Sequence, residues 1–226
     1  MVVLAIDTAL DACAAAIYDS VDATIVAADT QFMSRGHAEA LMPLIAGVME
    51  SAGIDFSRLD RFAVTVGPGS FTGLRVGISA ARGFALVTGK PVVGINTLAA
   101  LAAPYIDADP ATPVAAAIDA RHNHVYLQLS GIGGRILLSP RIVPVAQATH
   151  AAAGASACLV GSGASMIAGL WPENAAAPHI DERRAAEIAW VARLGALIDP
   201  GEAPPQPLYI RAADTHPQLA SVLPRR

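Results

Sequence analysis

The chain has 226 residues, 54% of them hydrophobic and 15% charged, and a formal net charge of −4. That is enough apolar sequence for one large or two small packed domains, and it excludes a disordered tail. A net negative chain with one lysine, Lys90, and scattered arginines does not grip nucleic acid by itself, because phosphate binding needs clustered positive charge.

The two cysteines, Cys13 and Cys158, lack metal-ligand spacing and read as reduced, buried thiols of a cytoplasmic protein, with a disulfide between them as the alternative. The opening MVVLAIDTA meets Asp7 with no basic segment before it, unlike a secretory signal. Residues 142–172 carry no Asp, Glu, Lys or Arg, but glycines, serines, Gln147 and His150 interrupt the run, so no membrane span is expected.

Apolar runs at 2–6, 13–18 and 24–32 predict three strands. Asp11, Asp19, Ser20 and Asp22 mark the turns of an antiparallel meander. Leu41, Leu44, Ile45, Val48 and Met49 recur at helical spacing and predict a helix over 37–52 that Gly53 closes, with Pro43 in its first turn or kinking it. A strand over 62–66, the loop Gly67-Pro68-Gly69-Ser70-Phe71-Thr72-Gly73, a helix over 74–88 and a strand over 91–94 make a β-α-β unit with parallel strands. A short helix over 97–103 follows, with Thr97 as its N-cap. The acidic, proline-containing segment 104–113 is the best linker candidate.

The pattern then restarts. Strands are expected over 114–119, 125–130 and 135–143, a helix over 145–153, a strand over 157–160 that runs into Gly161-Ser162-Gly163, and a helix over 183–198 before the proline-rich segment 200–207. Leu4-Ala5-Ile6-Asp7 echoes Ala116-Ala117-Ile118-Asp119. Three antiparallel strands followed by helix-strand units, used twice, outline a duplicated RNase H-like α/β fold. Its lobes are expected at 1–103 and 104–211, with a tail at 212–226.

Several residues invite chemistry. Asp7 and Asp119, each ending the first strand of its half, would face a cleft and hold a metal–phosphate complex, or would simply cap turns. Thr8 belongs to the same strand end. Gly161 and Gly163 would let a nucleotide approach the backbone, or form a plain strand-to-helix turn. The glycine loop precedes a helix N-terminus, where anions are welcome. It has neither a P-loop lysine nor dinucleotide-fingerprint spacing, so it is an unusual site or a platform for the next helix. His37 has Ala40 and Leu41 three and four residues on, so a helical metal pair is missing. His122 and His124 share a strand face and could touch one metal, but such histidines are more often solvated. Ser70 with His37 lacks the nucleophile-elbow signature.

The helix surfaces give the sharper signal. Ala38, Met42 and Ala46 lie off the main apolar stripe of the first helix. Gly77, Ala80, Ala81 and Ala85 keep the surface of the second low, beside Arg75, Ser79 and Arg82. Helices apolar over most of their circumference are buried on two sides, either inside one core or, the preferred reading, under a partner.

The segments MVVLAIDTA, SRGHAEALMPLI, AVTVGPGSFTGLRVGISAARGFA, PVVGINTLAAL, AAIDARHNHVYL and PLYIR, in this order, closely resemble the TsaB (YeaZ) family. The resemblance implies a two-lobed α/β fold of the actin/Hsp70/sugar-kinase type with a reduced second lobe. It also implies a non-catalytic paralogue of TsaD that supports transfer of a threonylcarbamoyl group to the adenosine beside the anticodon of tRNAs reading codons that start with A. TsaD-like enzymes carry an HxxxH metal motif, and the matching positions here are His37 and Leu41, so half of the pair is gone.

By the same resemblance the chain pairs with TsaD through its first two helices, at His37, Ala38, Leu41, Met42, Ile45, Met49, Leu74, Gly77, Ile78, Ala81, Arg82 and Ala85. TsaE joins the larger complex, tRNA is reached only through it, and ATP or ADP enters only with TsaD. No metal or cofactor is expected for the chain alone, which the same helices would let form a homodimer. The alternatives are an ATP-dependent phosphotransferase using Asp7 and Asp119, and a metallopeptidase-like hydrolase.

Overall fold

The computed structural model describes residues 1–208 and 210. The expected tail over 212–226, and Tyr209 and Arg211 of the PLYIR segment, lie outside the described residues.

Two five-stranded sheets share one plan. In the first, β1 (Val2–Asp7), β2 (Ala12–Asp19) and β3 (Thr24–Phe32) form the antiparallel meander, and β4 (Arg61–Gly67) and β5 (Val92–Asn96) run parallel to β1, in the order β3-β2-β1-β4-β5. In the second, β6 (Val114–Asp119), β7 (His124–Ser130) and β8 (Ile136–Pro144) repeat the meander. The short β9 (Cys158–Val160) and β10 (Ile180–Asp181) repeat the parallel pair, in the order β8-β7-β6-β9-β10. The duplicated RNase H-like α/β layout, with shorter parallel strands in the second lobe, is therefore present.

Both faces of the first sheet are covered, which is why β1 reads as an unbroken apolar run rather than an alternating one. Leu4 and Ile6 face α1 (His37–Ala52) and α2 (Phe71–Thr88), packing with Leu41, Ile45, Val48, Leu74 and Ile78. Val3 and Ala5 face the other way, into a core shared by both lobes. There they meet Leu98 and Leu101 of α3 (Thr97–Ala108), Val114 and Ala116 of β6, and Val191 of α6 (Ile188–Leu197). The outer face of the second sheet is closed by α4 (Val145–Gly154) and α5 (Ala164–Ala168), around Leu127, Leu159 and Ile167.

The lobes exchange helices. α3 follows the first sheet in sequence and packs chiefly on β6 of the second. α6 follows the second sheet and packs on β1, β2 and β4 of the first. Gly195 permits this approach: a Cβ there would lie 2.3 Å from that of Ala63. The segment after α6 is also fastened to the first sheet, Gly94 N–H donating to Ala203 O at 2.8 Å and Leu208 N–H to Val66 O at 2.7 Å.

Several boundaries differ from expectation. α2 begins at Phe71, because the Ser70 side chain accepts from Gly73 N–H and caps the helix, so Gly73 lies inside the helix rather than in a loop. Asn96, not Thr97, caps α3, its carbonyl oxygen taking the N–H groups of Leu98 and Ala99. That helix runs on to Ala108 with Pro104 inside it, through the expected lobe boundary. Pro43 lies beyond the first turn of an unbroken α1. α6 starts at Ile188, later than its periodicity suggested, because 183–187 carry polar links instead. The short α5 and β10 were not anticipated. Among the described residues no helix is long and apolar enough to cross a membrane.

Candidate functional site

The glycine-rich segment is a packing platform. Ser70 N–H donates to Ala9 O at 2.7 Å, and the Thr8 hydroxyl donates to Gly73 O at 2.7 Å. A Cβ on Gly69 would lie 2.3 Å from Ala9 O, one on Gly73 2.0 Å from Thr8 O, and one on Gly77 2.5 Å from Thr8 Oγ1. Glycine every four residues thus lets α2 press its backbone against the β1–β2 turn. The Gly67–Pro68 peptide bond is cis.

Asp7 and Thr8 do not reach a cleft. Asp7 is wholly buried. Its Oδ1 accepts the Thr65 hydroxyl at 2.6 Å and Ala9 N–H at 2.9 Å, and its Oδ2 has no partner. Burial, the largest influence, raises its pKa above the ordinary 3.8, against the opposing hydrogen bonds and the nearby His37. Thr8 is equally buried and its hydroxyl is spent on α2. Gly161 and Gly163 are also structural. A Cβ at either would collide with the second lobe, 2.3 Å from Ala117 O at Gly161 and 2.9 Å from a Val125 methyl at Gly163. Tight packing against β6 and β7, not a ligand, explains both glycines.

Asp119 does line a cleft. Between the lobes lies a cavity of about 750 Å³. Its walls carry Asp11, His37, Ser70, Phe71 and Arg75 from the first lobe, Asp119, Arg121, Tyr126 and Ser162 from the second, and Arg184 from the crossing segment. Arg75 stacks on the Phe71 ring at 3.7 Å. His37 is nine-tenths buried and holds Leu10 O at 3.0 Å, so its Nε2 carries the proton. Asp119 Oδ1 accepts Arg121 N–H at 2.7 Å.

The hairpin behind Arg121 is unusual: Arg121, His122 and Asn123 have φ of 61°, 51° and 60°, three successive non-glycine residues in the left-handed region. His124 Nδ1–H donates to His122 O at 2.8 Å, which ties the histidines to the turn. Among the described residues no group of three or more His, Cys, Asp or Glu could hold a metal ion. The cleft arginines and serines were missed from sequence, because they lie far apart in the chain. The one local signal was the run Arg121-His122-Asn123, a sequence with no glycine where a tight turn is needed.

The expected partner surface divides in two. Leu41, Ile45, Met49, Leu74, Gly77, Ile78 and Ala81 are buried beneath α1 and α2, in the protein's own core, so these side chains are not available to another chain. Their apolar character is explained by the sheet below them. Ala38, Met42 and Arg82 are exposed, and Ala85 is half-buried. The free face of α1 is Ala38, Met42, Pro43, Ala46 and Gly47, with Glu39 and Glu50 near its ends. Leu86 and Val87, each 86% exposed, project from the end of α2.

The family model for TsaD, tRNA N6-adenosine threonylcarbamoyltransferase, matches residues 25–155. The TsaB protein of Escherichia coli is 39% identical over 126 residues, 56% of this chain and 53% of that protein. The aligned part thus spans about half the length of that relative. The solved structure of YeaZ from Pseudomonas aeruginosa superimposes with a TM-score of 0.75 at 25% identity, over 92% of this chain and 99% of that one. A ROK hexokinase from Thermus thermophilus, at 16% identity and a TM-score of 0.50 over 87% of this chain and 99% of that one, shares the two-lobed fold alone. Fold and matches together define a two-lobed α/β protein in which one RNase H-like plan is used twice. Within that class the chain belongs to the TsaB (YeaZ) family.

Proposed function

We propose that the chain is a non-catalytic subunit in tRNA threonylcarbamoyladenosine biosynthesis. It binds TsaD through the outer faces of α1 and α2 and supports threonylcarbamoyl transfer to the adenosine beside the anticodon. TsaE joins the larger complex, tRNA is engaged only through it, and ATP or ADP binds only with TsaD present. The protein works in the cytoplasm.

The observation that carries this reading is the exposed face of α1. Ala38, Met42 and Ala46 form one row, Pro43 and Gly47 the next, and charge is confined to the ends. Small and flexible apolar side chains let a second helix approach closely. A stable pairing on this face would bury about 1,200–2,000 Å² in total. The sealed state of Asp7 and the leucine at position 41 agree with a supporting role, since Asp7 cannot join Asp119 in the cleft and position 41 supplies no second histidine.

The test is copurification with TsaD of the same organism. Met42→Asp and Ala46→Arg, both on the outer face, are expected to leave the monomer folded and abolish the complex. Ala81→Arg is unsuitable, because Ala81 is fully buried. Retention of the complex by both outer-face variants would remove the claim. Titration of the isolated chain with Mg-ATP is expected to show neither tight binding nor turnover.

A further inference from the structure

We propose that the free edge of β3 is a docking site for an extended segment of another protein that carries lysine or arginine and adds to the first sheet as a sixth strand. The inference is independent of the TsaD-binding reading, which uses the outer faces of α1 and α2.

The two sheets end in β3, β5, β8 and β10. An open edge pairs with other chains, so folded proteins cover, shorten or interrupt it. Three of these edges are treated in that way. β5 is covered, its Gly94 N–H donating to Ala203 O at 2.8 Å. β10 is two residues long. β8 contains Pro140 and loses register against β7 at two places. β3 is nine residues long and has no proline, lysine or arginine. Its register shift falls at Val26, and residues 27–32 then pair with β2 without a break. Among the described residues no backbone group of β3 bonds to anything beyond β2. Every second residue of an outer antiparallel strand aims its N–H and C=O away from its neighbour, so these groups are open to a further strand. Val26 and Phe32 on the same strand are 47% and 73% exposed.

Charge sets the chemistry of the occupant. Residues 1–34 contain no lysine or arginine, and Asp22 and Asp29 are exposed in the β2–β3 turn and on β3. α1, which packs beside β3, adds Glu39 and Glu50 and no lysine or arginine. α6, which also touches β3, adds Arg193, whose guanidinium lies over the Trp190 ring at 4.8 Å. A second copy of this edge would bring acid towards acid, whereas a basic segment complements it.

The two faces of the strand set the pattern of that segment. Ala15 and Ala16 of β2 belong to the cores on opposite sides of the sheet, and they pair with Asp29 and Ala28. Asp29 therefore shares the α1 side with Gln31, whose Nε2 donates to Asp29 Oδ2 at 3.3 Å. Phe32 shares the other side with Ala28 and Thr30. An added strand would place basic side chains beside Asp29 and apolar ones beside Ala28 and Phe32.

The probe is a seven-residue peptide alternating lysine and valine, titrated into the full chain at fixed ionic strength. It is expected to bind saturably and to slow amide exchange over residues 27–32. A copy methylated at every backbone nitrogen keeps its charge but has no backbone donor, and it is expected not to bind. A peptide with glutamate in place of lysine is also expected not to bind. Asp29→Lys should weaken the lysine peptide about fivefold, the scale of an exposed ion pair, and should admit the glutamate peptide. Glu173→Lys, exposed on the second lobe, should change neither. Absence of saturable binding, equal binding of the methylated peptide, slowed exchange confined to other strands, or a dimer of the chain alone paired through β3 would overturn the proposal.

Discussion

Arg61 Nη1, on the first sheet, donates to the carbonyl oxygen of Ile198 at 2.7 Å, across 137 residues of sequence. The same nitrogen lies 2.9 Å from Gly195 O and 3.3 Å from Ala196 O. A cation from β4 therefore caps the C-terminal carbonyls of α6, where the helix dipole favours positive charge. This contact fixes a helix of the second half onto the sheet of the first. Arg61→Ala is expected to cost about 2 kcal/mol, the worth of a charged hydrogen bond, and to lower Tm by about 4–8 °C. Urea and thermal unfolding measure it, and an unchanged midpoint would deny the cap its role.

Gly195 sets the depth of the same contact. With Ala63 Cβ only 2.3 Å from the place its Cβ would take, Gly195→Ala forces α6 away from β4. Overpacking of this kind costs about 1–3 kcal/mol. Removing the opposing methyl by Ala63→Gly should recover part of the loss in the double variant. A simple sum of two losses would mean that the two positions do not press on each other.

Asp7 makes stability depend on pH. Its folded pKa is raised by burial above the unfolded value near 3.8. A raised carboxyl stabilises the fold below the unfolded pKa, and that contribution is lost as pH rises through the folded pKa. Asp7→Asn keeps an oxygen for Thr65 and Ala9 but cannot ionise. The Tm difference, variant minus wild type, is expected to become more positive from pH 4 to pH 8. A difference independent of pH would show that Asp7 titrates normally.

The junction of Thr8 with α2 tests the platform reading of the glycine segment. Thr8→Val removes a buried hydrogen bond to Gly73 O, which keeps its partner within α2, and should cost about 1 kcal/mol, the net worth of one hydrogen bond. Gly73→Ala should be worse, since its Cβ would lie 2.0 Å from Thr8 O, which is backbone and cannot swing aside. Wild-type stability in Gly73→Ala would refute close packing there.

Most elements were legible along the chain because their signals are local. The α1 boundaries follow from apolar spacing and from Gly53, which adopts φ 65° as a C-cap must. Its outward row, Ala38 and Met42, could be told from its inward row by spacing, but the sequence offered Leu41, Ile45 and Ala81 to a partner as readily as to the sheet. Hydrophobicity records that a side chain is covered, not by what. The cleft was hidden for a related reason: Ser70, Arg121, Ser162 and Arg184 become neighbours only when two sheets meet.

The sequence by itself determined the repeated succession of strands and helices, the helix periods and the family, because each is written in motifs of neighbouring residues. Tertiary structure decided which lobe each helix serves, sealed Asp7 away from solvent, and turned the glycines of the loop into contact points against Thr8 and Ala9. Those outcomes depend on burial and on backbone approaches between segments as distant as Arg61 and Ile198, and no local pattern of side chains encodes such distances.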